Sequence, residues 1–263
     1  MPSAYQTLSI RKSGPVDWLT LDRPGALNTM NAAMIDELGA YFSGLEADPD
    51  VRVVVMRGAG GQFCAGLDLK DFGPRIESLD MSALFASQRR LSRLVLAMRR
   101  CPQPLIALLE GAACGGGFAL ALAADIRYCA PDTRMNCAFI QIGLTGGDMG
   151  ASYFLQRLVG GSAAAELIMT GRFLGAERAA ALGLVSAVLP AAELEGAADT
   201  LTAEMLRTDP LALALTKQAL NANGAAQSLE AALEIEDRQQ VMMASRPEFA
   251  ARIKAFLARP PRR

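Results

Sequence analysis

The stretch Pro104–Asp125, PLIALLEGAACGGGFALALAAD, decides the fold because it predicts a strand, a glycine turn and a helix in immediate succession. Leu105 to Leu109 form an apolar run of strand length after a proline break. Gly111 and the triple glycine Gly115–Gly117 follow, and Phe118 to Ala123 are good helix formers without a breaker. This order exposes backbone at the start of the helix.

The start of that helix is a candidate site for an anion, or for an oxygen that becomes one during a reaction. Glycine has no Cβ, so a ligand can approach the main chain closely. The first helical amides lack intrahelical acceptors and lie at the positive end of the helix dipole. The glycines could equally serve only to pack the helix tightly on a sheet.

Two familiar phosphate sites are excluded at this turn. A P-loop needs Gly-Lys-Ser/Thr after the glycines, and the segment has none. A dinucleotide fingerprint needs the spacing GxGxxG, which is also missing. Backbone donors without a lysine suit a developing oxyanion better than a triphosphate.

The composition excludes several classes of function. The chain has 263 residues with 26 basic and 27 acidic side chains, and its formal net charge of −1 argues against a nucleic-acid partner. It has no histidine, which excludes Ser-His-Asp and Cys-His nucleophiles and histidine-ligated zinc, and we expect no metal site. Acid–base chemistry must therefore fall to carboxylates, lysine, tyrosine or cysteine.

Targeting signals and cysteine usage indicate the compartment. No apolar run reaches transmembrane length and no signal-peptide pattern is present, which predicts a cytoplasmic protein without a membrane partner. The cysteines are scattered in apolar contexts without a CxxC pair, which predicts reduced, buried thiols. They are Cys64, Cys101, Cys114, Cys129 and Cys137.

A second strand also runs into a glycine turn. Residues 51–56, VRVVVM, are almost continuously apolar, which is typical of a buried parallel strand. Residues 58–70, GAGGQFCAGLDLK, follow as a turn and a short helix over Leu67–Phe72. Two strand-end turns can aim one amide each at the same point, which is what an oxyanion hole requires.

Strands and helices alternate up to residue 189, and only helices are predicted beyond it. This pattern predicts an α/β core over residues 1–189 and a helical region over 190–263. The other predicted elements are a hairpin of residues 4–10 and 15–22, helices at 31–46, 81–100, 151–158, 163–169 and 176–182, a mobile surface loop at 71–80, and strands at 126–130 and 185–189.

The helix over 81–100 carries a basic face opposite its apolar one. Its members are Arg89, Arg90, Arg93, Arg99 and Arg100. We interpret the face as solvated, with a place for substrate phosphates as the alternative.

Four motifs together resemble the enoyl-CoA hydratase/isomerase, or crotonase, superfamily. They are RPGALN (23–28), FCAGLDL (63–69), GAACGGGFALALAADIRY (111–128) and GRFLGAERAAALGLVSAVLP (171–190). The resemblance implies an α/β spiral of ββα units with a C-terminal helical trimerisation region. It further implies an acyl-CoA thioester as substrate, no cofactor because coenzyme A is part of that substrate, and a homotrimer or dimer of trimers.

The resemblance assigns roles to particular residues. The amides of Leu67 and Gly116 would hold the thioester oxygen as it becomes an enolate. The positions implied to contact the substrate are Ala26, Ala65, Leu67, Asp68, Leu69, Lys70, Gly115, Gly116 and Phe139. We expect Asp68 to act structurally, as a cap of the short helix.

The sequence departs from the hydratase pattern at both catalytic glutamates, whose positions hold Ala119 and Phe139. The remaining well-placed carboxylate is Asp148, in GLTGGDMGASY, which is either catalytic or an N-cap of the following helix. It matches the nucleophilic aspartate of chlorobenzoyl-CoA dehalogenase and lies within one position of an aspartate in dienoyl-CoA isomerases. Glu110 is interpreted as structural.

Three hypotheses follow from the resemblance. In the first, Asp148 moves a proton while the two amides stabilise an enolate, which suffices for isomerisation; hydration would need a second group, such as an ordered water or Tyr153. In the second, Asp148 is a nucleophile for dehalogenation or thioester hydrolysis, although the dehalogenases also use a histidine. In the third, the protein binds acyl-CoA without turning it over.

Overall fold

The computed structural model describes residues 5–76, 80–224, 226 and 228–257. The chain divides into two compact units, the first ending at Arg207 and the second beginning at Thr208. The predicted class, a mixed α/β fold followed by helices, is confirmed.

The described residues form nine strands and eleven α-helices. The strands are β1 (Leu8–Ser13), β2 (Val16–Leu21), β3 (Val53–Gly58), β4 (Leu105–Leu109), β5 (Ala112–Cys114), β6 (Ile126–Cys129), β7 (Arg134–Asn136), β8 (Leu174–Gly175) and β9 (Ala187–Val188). The helices are α1 (Ala32–Gly44), α2 (Leu69–Ile76), α3 (Met81–Arg100), α4 (Gly116–Ala123), α5 (Ala151–Val159), α6 (Gly161–Thr170), α7 (Ala176–Ala181), α8 (Ala191–Leu206), α9 (Pro210–Asn223), α10 (Leu229–Ala244) and α11 (Pro247–Leu257).

The larger sheet has the strand order β1-β2-β3-β4-β6-β9. Strands β1 and β2 form an antiparallel hairpin, and every later pairing in this sheet is parallel. The smaller sheet has the order β5-β7-β8. Because β3 and β4 lie side by side in parallel, the turns that follow them leave the same edge of the sheet.

Both faces of the larger sheet are buried, which explains the continuous apolar runs. Along β3, Val54 and Met56 pack into one hydrophobic cluster while Val53 and Val55 pack into another. Helices α1, α3 and α4 supply the first cluster, whose helical members include Met34, Leu94 and Leu120. Helix α8 supplies the second through Leu194 and Ala198. The alternation follows from the two-residue period of a strand.

Helix α8 belongs to the first unit, although we predicted a boundary at residue 190. Besides its apolar contacts, its Glu195 carboxylate bonds Arg11 at 3.5 Å and also pairs with Arg57. The Arg52 guanidinium donates to the Leu206 carbonyl at 3.0 Å. The compact boundary therefore falls after Arg207, because α8 covers one face of the sheet.

Other element predictions differ at their bounds. Strand β1 begins at Leu8 and ends at Ser13, later than the predicted 4–10. Residues 71–76 belong to α2 and not to a surface loop, and the short helix starts at Leu69 and not at Leu67; residues 77–79 lie outside the described residues. Residues 112–114, which were predicted as part of a glycine turn, form strand β5. No helix of the described residues is long and apolar enough to cross a membrane.

The described residues of the second unit form three helices. Helix α9 begins at a proline, and the preceding Asp209 carboxylate accepts from the amides of Leu211 at 2.9 Å and Ala212 at 3.3 Å. The same carboxylate pairs with Arg246 at 3.0 Å. These donors hold the pKa of Asp209 below its usual value, although its partial burial works in the opposite direction.

Candidate active site

The Gly116 amide lies at the start of α4 and is unpaired within the described part of the chain, and Gly116 itself is buried. Gly116 is the first residue of the helix, so its N–H has no intrahelical acceptor. The preceding Gly115 amide donates to the Asn136 carbonyl at 2.9 Å. Gly115 has φ 51° and ψ −120°, a backbone conformation that glycine adopts without steric cost. No acceptor for the Gly116 amide exists among the described residues.

The Leu67 amide is also without a hydrogen-bond acceptor among the described residues, but for a different reason. Leu67 forms a parallel bridge with Met30, in which Met30 donates to Gly66 at 2.7 Å and Asp68 donates back to Met30 at 2.9 Å. In such a bridge the N–H of the paired residue points away from its partner. Within the described ranges, the Leu67 amide donates to no other residue.

The two turns are in direct contact. A Cβ placed on Gly66 would lie 2.9 Å from the Cys114 carbonyl oxygen and 3.7 Å from the Gly116 nitrogen. A Cβ on Gly117 would lie 2.1 Å from the Cys64 carbonyl oxygen. The structure thus brings the Leu67 turn and the Gly116 amide together, as an oxyanion hole requires.

Asp148 lies in the loop before α5, and the side chain of the next residue, Met149, reaches Gly116. A Cβ on Gly116 would lie 3.3 Å from the Met149 sulfur. Met149 is buried and has φ 47°, a left-handed conformation that costs a non-glycine residue energy and often marks functional sites. Its amide donates to Asp148 Oδ1 at 2.7 Å. The sequence offered no signal for this strained residue.

The Asp148 carboxylate does not cap α5, which corrects the alternative interpretation. The N-cap is Gly150, and no side chain bonds the amides of the first turn. Only the Asp148 main-chain carbonyl takes part, accepting from Ala151 at 2.8 Å. A second donor reaches Asp148 Oδ1 from α3, namely Gln88 Nε2. Sequence reasoning missed Gln88, because no local pattern connects it with the loop.

The two positions that hold glutamates in hydratases are apolar and buried. Ala119 is fully buried in α4, and Phe139 is 8% exposed in a short 3-10 turn over Ala138–Ile142. Two Phe139 ring carbons lie 3.7 and 4.0 Å from the place of a Cβ on Gly115. Phe139 therefore places an apolar ring beside Gly115.

A cleft of 710 Å³ runs past the Leu67 turn. Its lining includes the predicted contact residues Ala26, Leu67, Asp68, Leu69 and Lys70, together with Arg23, Gly25, Leu27, Thr29 and Asp71. The other predicted contact residues, Ala65, Gly115, Gly116 and Phe139, are not among the residues that line this cleft. The Ala65 amide donates to the Leu27 carbonyl at 3.0 Å and ties the two walls together.

The wall formed by residues 23–29 is fixed by Asn28. Its side chain is fully buried, accepts from the Arg23 amide at 2.9 Å and donates to the carbonyls of Ala59 and Gln62 at 2.9 and 2.6 Å. Leu27 and Asn28 both have positive φ, 51° and 54°. Asparagine tolerates that conformation better than most residues, so this segment keeps one shape.

Asp68 caps α2, as predicted. Its Oδ1 accepts from the amides of Lys70 at 3.2 Å and Asp71 at 3.3 Å, and its Oδ2 pairs with Arg23 at 2.8 Å. Burial by itself would raise the pKa of Asp68, but these bonds together hold the pKa below its usual value. Asp68 remains ionised and joins the two walls of the cleft.

We predict that Arg23→Met lowers stability at pH 7 and that the deficit shrinks in acid. The pKa of Asp68 is lower in the folded than in the unfolded state, where it is about 3.9. The ion pair therefore stabilises above pH ~4, and its contribution is lost as the pH falls through the folded value. Thermal unfolding from pH 7 to pH 3 measures this. Arg89→Met, at an exposed position on α3, is the control; an Arg23→Met deficit that is constant with pH would contradict the prediction.

The remaining candidate groups are the buried cysteines, Glu110 and the basic face of α3. Burial raises the pKa of the Cys64 and Cys137 thiols to about 12 and of Cys129 to about 11, so these groups stay protonated. Burial, followed by the charge of Asp132, raises the pKa of Glu110. On the basic face of α3, Arg90 pairs with Asp36 and Arg99 pairs with Asp125 at 2.8 Å. Both partners are acidic side chains of the same unit.

The fold and its paired glycine turns are those of enzymes that process acyl-CoA thioesters. The family model described as enoyl-CoA hydratase/isomerase matches residues 11–261. The chain belongs to this family.

Individual relatives agree with that assignment. A probable enoyl-CoA hydratase of Mycobacterium bovis is 38% identical over 228 residues, which cover 86% of this chain and 80% of the relative. The 1,2-epoxyphenylacetyl-CoA isomerase of Escherichia coli K12 is 32% identical, covering 92% and 91%. The solved enoyl-CoA hydratase from Bacillus anthracis superposes with a TM-score of 0.89 at 28% identity, covering 95% and 96%.

Proposed function

We propose that this enzyme forms the enolate of an acyl-CoA thioester and moves a proton with Asp148. The observation that carries the proposal is the juxtaposition of two unpaired amides, Leu67 and Gly116, with the side chain of Met149, the residue after Asp148, packed on Gly116. Each amide would donate to the thioester oxygen, and the loss of one such donor costs about 2.7–4 kcal/mol in acyl-transfer enzymes.

The proposed reaction is an isomerisation. Asp148 takes a proton from the α-carbon, and the electron pair of the broken C–H bond forms the enolate double bond while negative charge collects on the thioester oxygen. Asp148 then returns the proton to the γ-carbon of an unsaturated substrate, which moves the double bond. One carboxylate suffices for both transfers, and no cofactor is needed because coenzyme A is part of the substrate.

Isomerisation is favoured over hydration by the apolar residues at the two glutamate positions. Ala119 and Phe139 are buried and can neither activate a water nor deliver a proton. A relative that is 32% identical is named as an isomerase of an acyl-CoA. In the runner-up, Asp148 is a nucleophile: attack on the thioester carbonyl would form a mixed anhydride and release the coenzyme A thiolate, whereas attack on a halogenated aryl carbon would form an aryl ester and release halide.

Hydrogen exchange tests the proposal directly. Incubated in D₂O with butyryl-CoA and with phenylacetyl-CoA, the enzyme should introduce deuterium at the α-carbon, detected as a mass increase of the thioester. A 3-enoyl-CoA should become its 2-enoyl isomer without gaining the mass of water. A gain of water would instead support hydration, and a covalent adduct on Asp148 would support the nucleophile. If the enzyme shows no exchange or isomerisation, no hydration and no adduct, the result would support binding without turnover.

The family also leads us to propose a homotrimer, or a dimer of trimers, acting in the cytoplasm. Large apolar side chains are exposed on the first unit, at Ile142, Leu144, Met169 and Phe173, which supports burial against a second copy. Sedimentation velocity measures the mass of the assembly, and a monomer at micromolar concentration would contradict the proposal.

A further inference from the structure

We propose that Gln88 is a positioning residue that fixes the Asp148 carboxylate so that Oδ2, and not Oδ1, exchanges the proton. This inference rests on the proposed function of Asp148. Both donors to the carboxylate, the Met149 amide and Gln88 Nε2, bond to Oδ1. Among the residues that the structure describes, none donates to Oδ2.

The chemistry of the two side chains sets the direction of the bond. An ionised carboxylate only accepts hydrogen bonds, so Gln88 must present its NH₂ group to Asp148. A bond to a charged acceptor is stronger than one between neutral groups. A primary amide neither gains nor loses a proton at equilibrium near neutral pH, so Gln88 orients the base without competing for the substrate proton.

The geometry explains why a second donor matters. The carboxylate rotation of aspartate is broad and two-fold, so the single short bond from Met149, its chain neighbour, restrains it poorly. Gln88 approaches from α3, 60 residues away in the sequence, and fixes the group from a separate element. A displacement of about 1 Å can cost a factor of about 10² in rate.

A purely structural role for Gln88 is disfavoured by its exposure. The residue lies on the exposed side of α3, whereas Leu91, Leu94, Val95 and Met98 on the same helix are buried. Its removal leaves no buried polar group unsatisfied, because Asp148 is itself accessible. Ordering a long, exposed side chain costs entropy, so the Gln88–Asp148 bond adds little stability. Its effect is to maintain one orientation of the carboxylate.

The test is Gln88→Met, which keeps the length of the side chain and removes the donor. We expect kcat, or the rate of α-deuterium exchange, to fall about 10- to 100-fold while KM changes less than twofold and the melting temperature is unchanged. Gln156→Met, at an exposed position on α5, is the matched control and should behave as the parent enzyme. Unchanged kcat, or a loss that appears only in KM, would overturn the proposal.

A crystal structure of Gln88→Met separates this proposal from the proposed function. The Asp148 carboxylate should be rotated or in two orientations in the variant and single in the parent. If the parent enzyme proves inactive, the proposed function fails, yet the carboxylate orientation still decides what Gln88 does. A carboxylate that stays fixed as in the parent would refute the role of Gln88 in either case.

Discussion

Asp148→Asn is expected to lower kcat about 10²- to 10⁴-fold, the range that positioned acid–base groups contribute. The amide has nearly the same shape as the carboxylate and can still accept from Gln88 and Met149, but it cannot take a proton. The cleft and the two amides remain intact, so the affinity for an acyl-CoA thioester should change little. Steady-state kinetics and calorimetric titration with butyryl-CoA measure the two effects.

A carboxylate away from the site supplies the control for this variant. Asp50 is exposed in the turn before β3, so Asp50→Asn should leave both kcat and affinity unchanged. An Asp148→Asn enzyme with parental kcat would show that another group moves the proton. A loss of affinity without a loss of kcat would place Asp148 in binding and not in catalysis.

Gly117→Ala is expected to destabilise the protein by about 3 kcal/mol, the upper part of the range for overpacked sites. The added Cβ would lie 2.1 Å from the Cys64 carbonyl oxygen and 2.7 Å from the Cys64 Cβ. That backbone is held in place because Cys114 donates to the same carbonyl at 2.9 Å. The strain must move α4 away from the turn, so activity should fall as well.

The matched control is Gly39→Ala, within α1. A Cβ there meets no atom within 4 Å, and alanine is favoured over glycine inside a helix by about 0.5–1 kcal/mol. Urea denaturation should therefore give changes of opposite sign for the two variants. Equal stability of Gly117→Ala and the parent would show that α4 does not need its close approach to the Cys64 turn.

The sequence predicted those parts of the fold that depend on local patterns. The apolar runs at residues 51–56 and 105–109 predicted two strands, the first of them buried and parallel, and β3 and β4 are adjacent and parallel. The apolar spacing in residues 81–100 predicted α3 to the residue. The pattern is reliable there because the buried face of a helix or strand must repeat with the period of its backbone.

The errors occur where tertiary contacts override local preference. Strand β5 has three residues beside a triple glycine, and it exists because β7 pairs with it. Helix α2 continues through Gly73 and Pro74, which the sequence assigned to a loop, and its start is capped by Asp68, itself held by Arg23. Helix α8 looked like the start of the helical region, but its apolar face packs on the sheet.

The sequence by itself determined the α/β class, the glycine turns that can expose amides, and the absence of histidine, which leaves acid–base chemistry to carboxylates, lysine, tyrosine or cysteine. Only the tertiary structure decided that the Leu67 turn contacts the Gly116 turn and that Asp148 is bonded by Gln88 and not used as a cap. The physical reason is that period and propensity act between near neighbours in the chain. The proposed site combines four segments that only packing brings together: the Leu67 turn, the Gly116 turn, the Asp148 loop and Gln88 on α3.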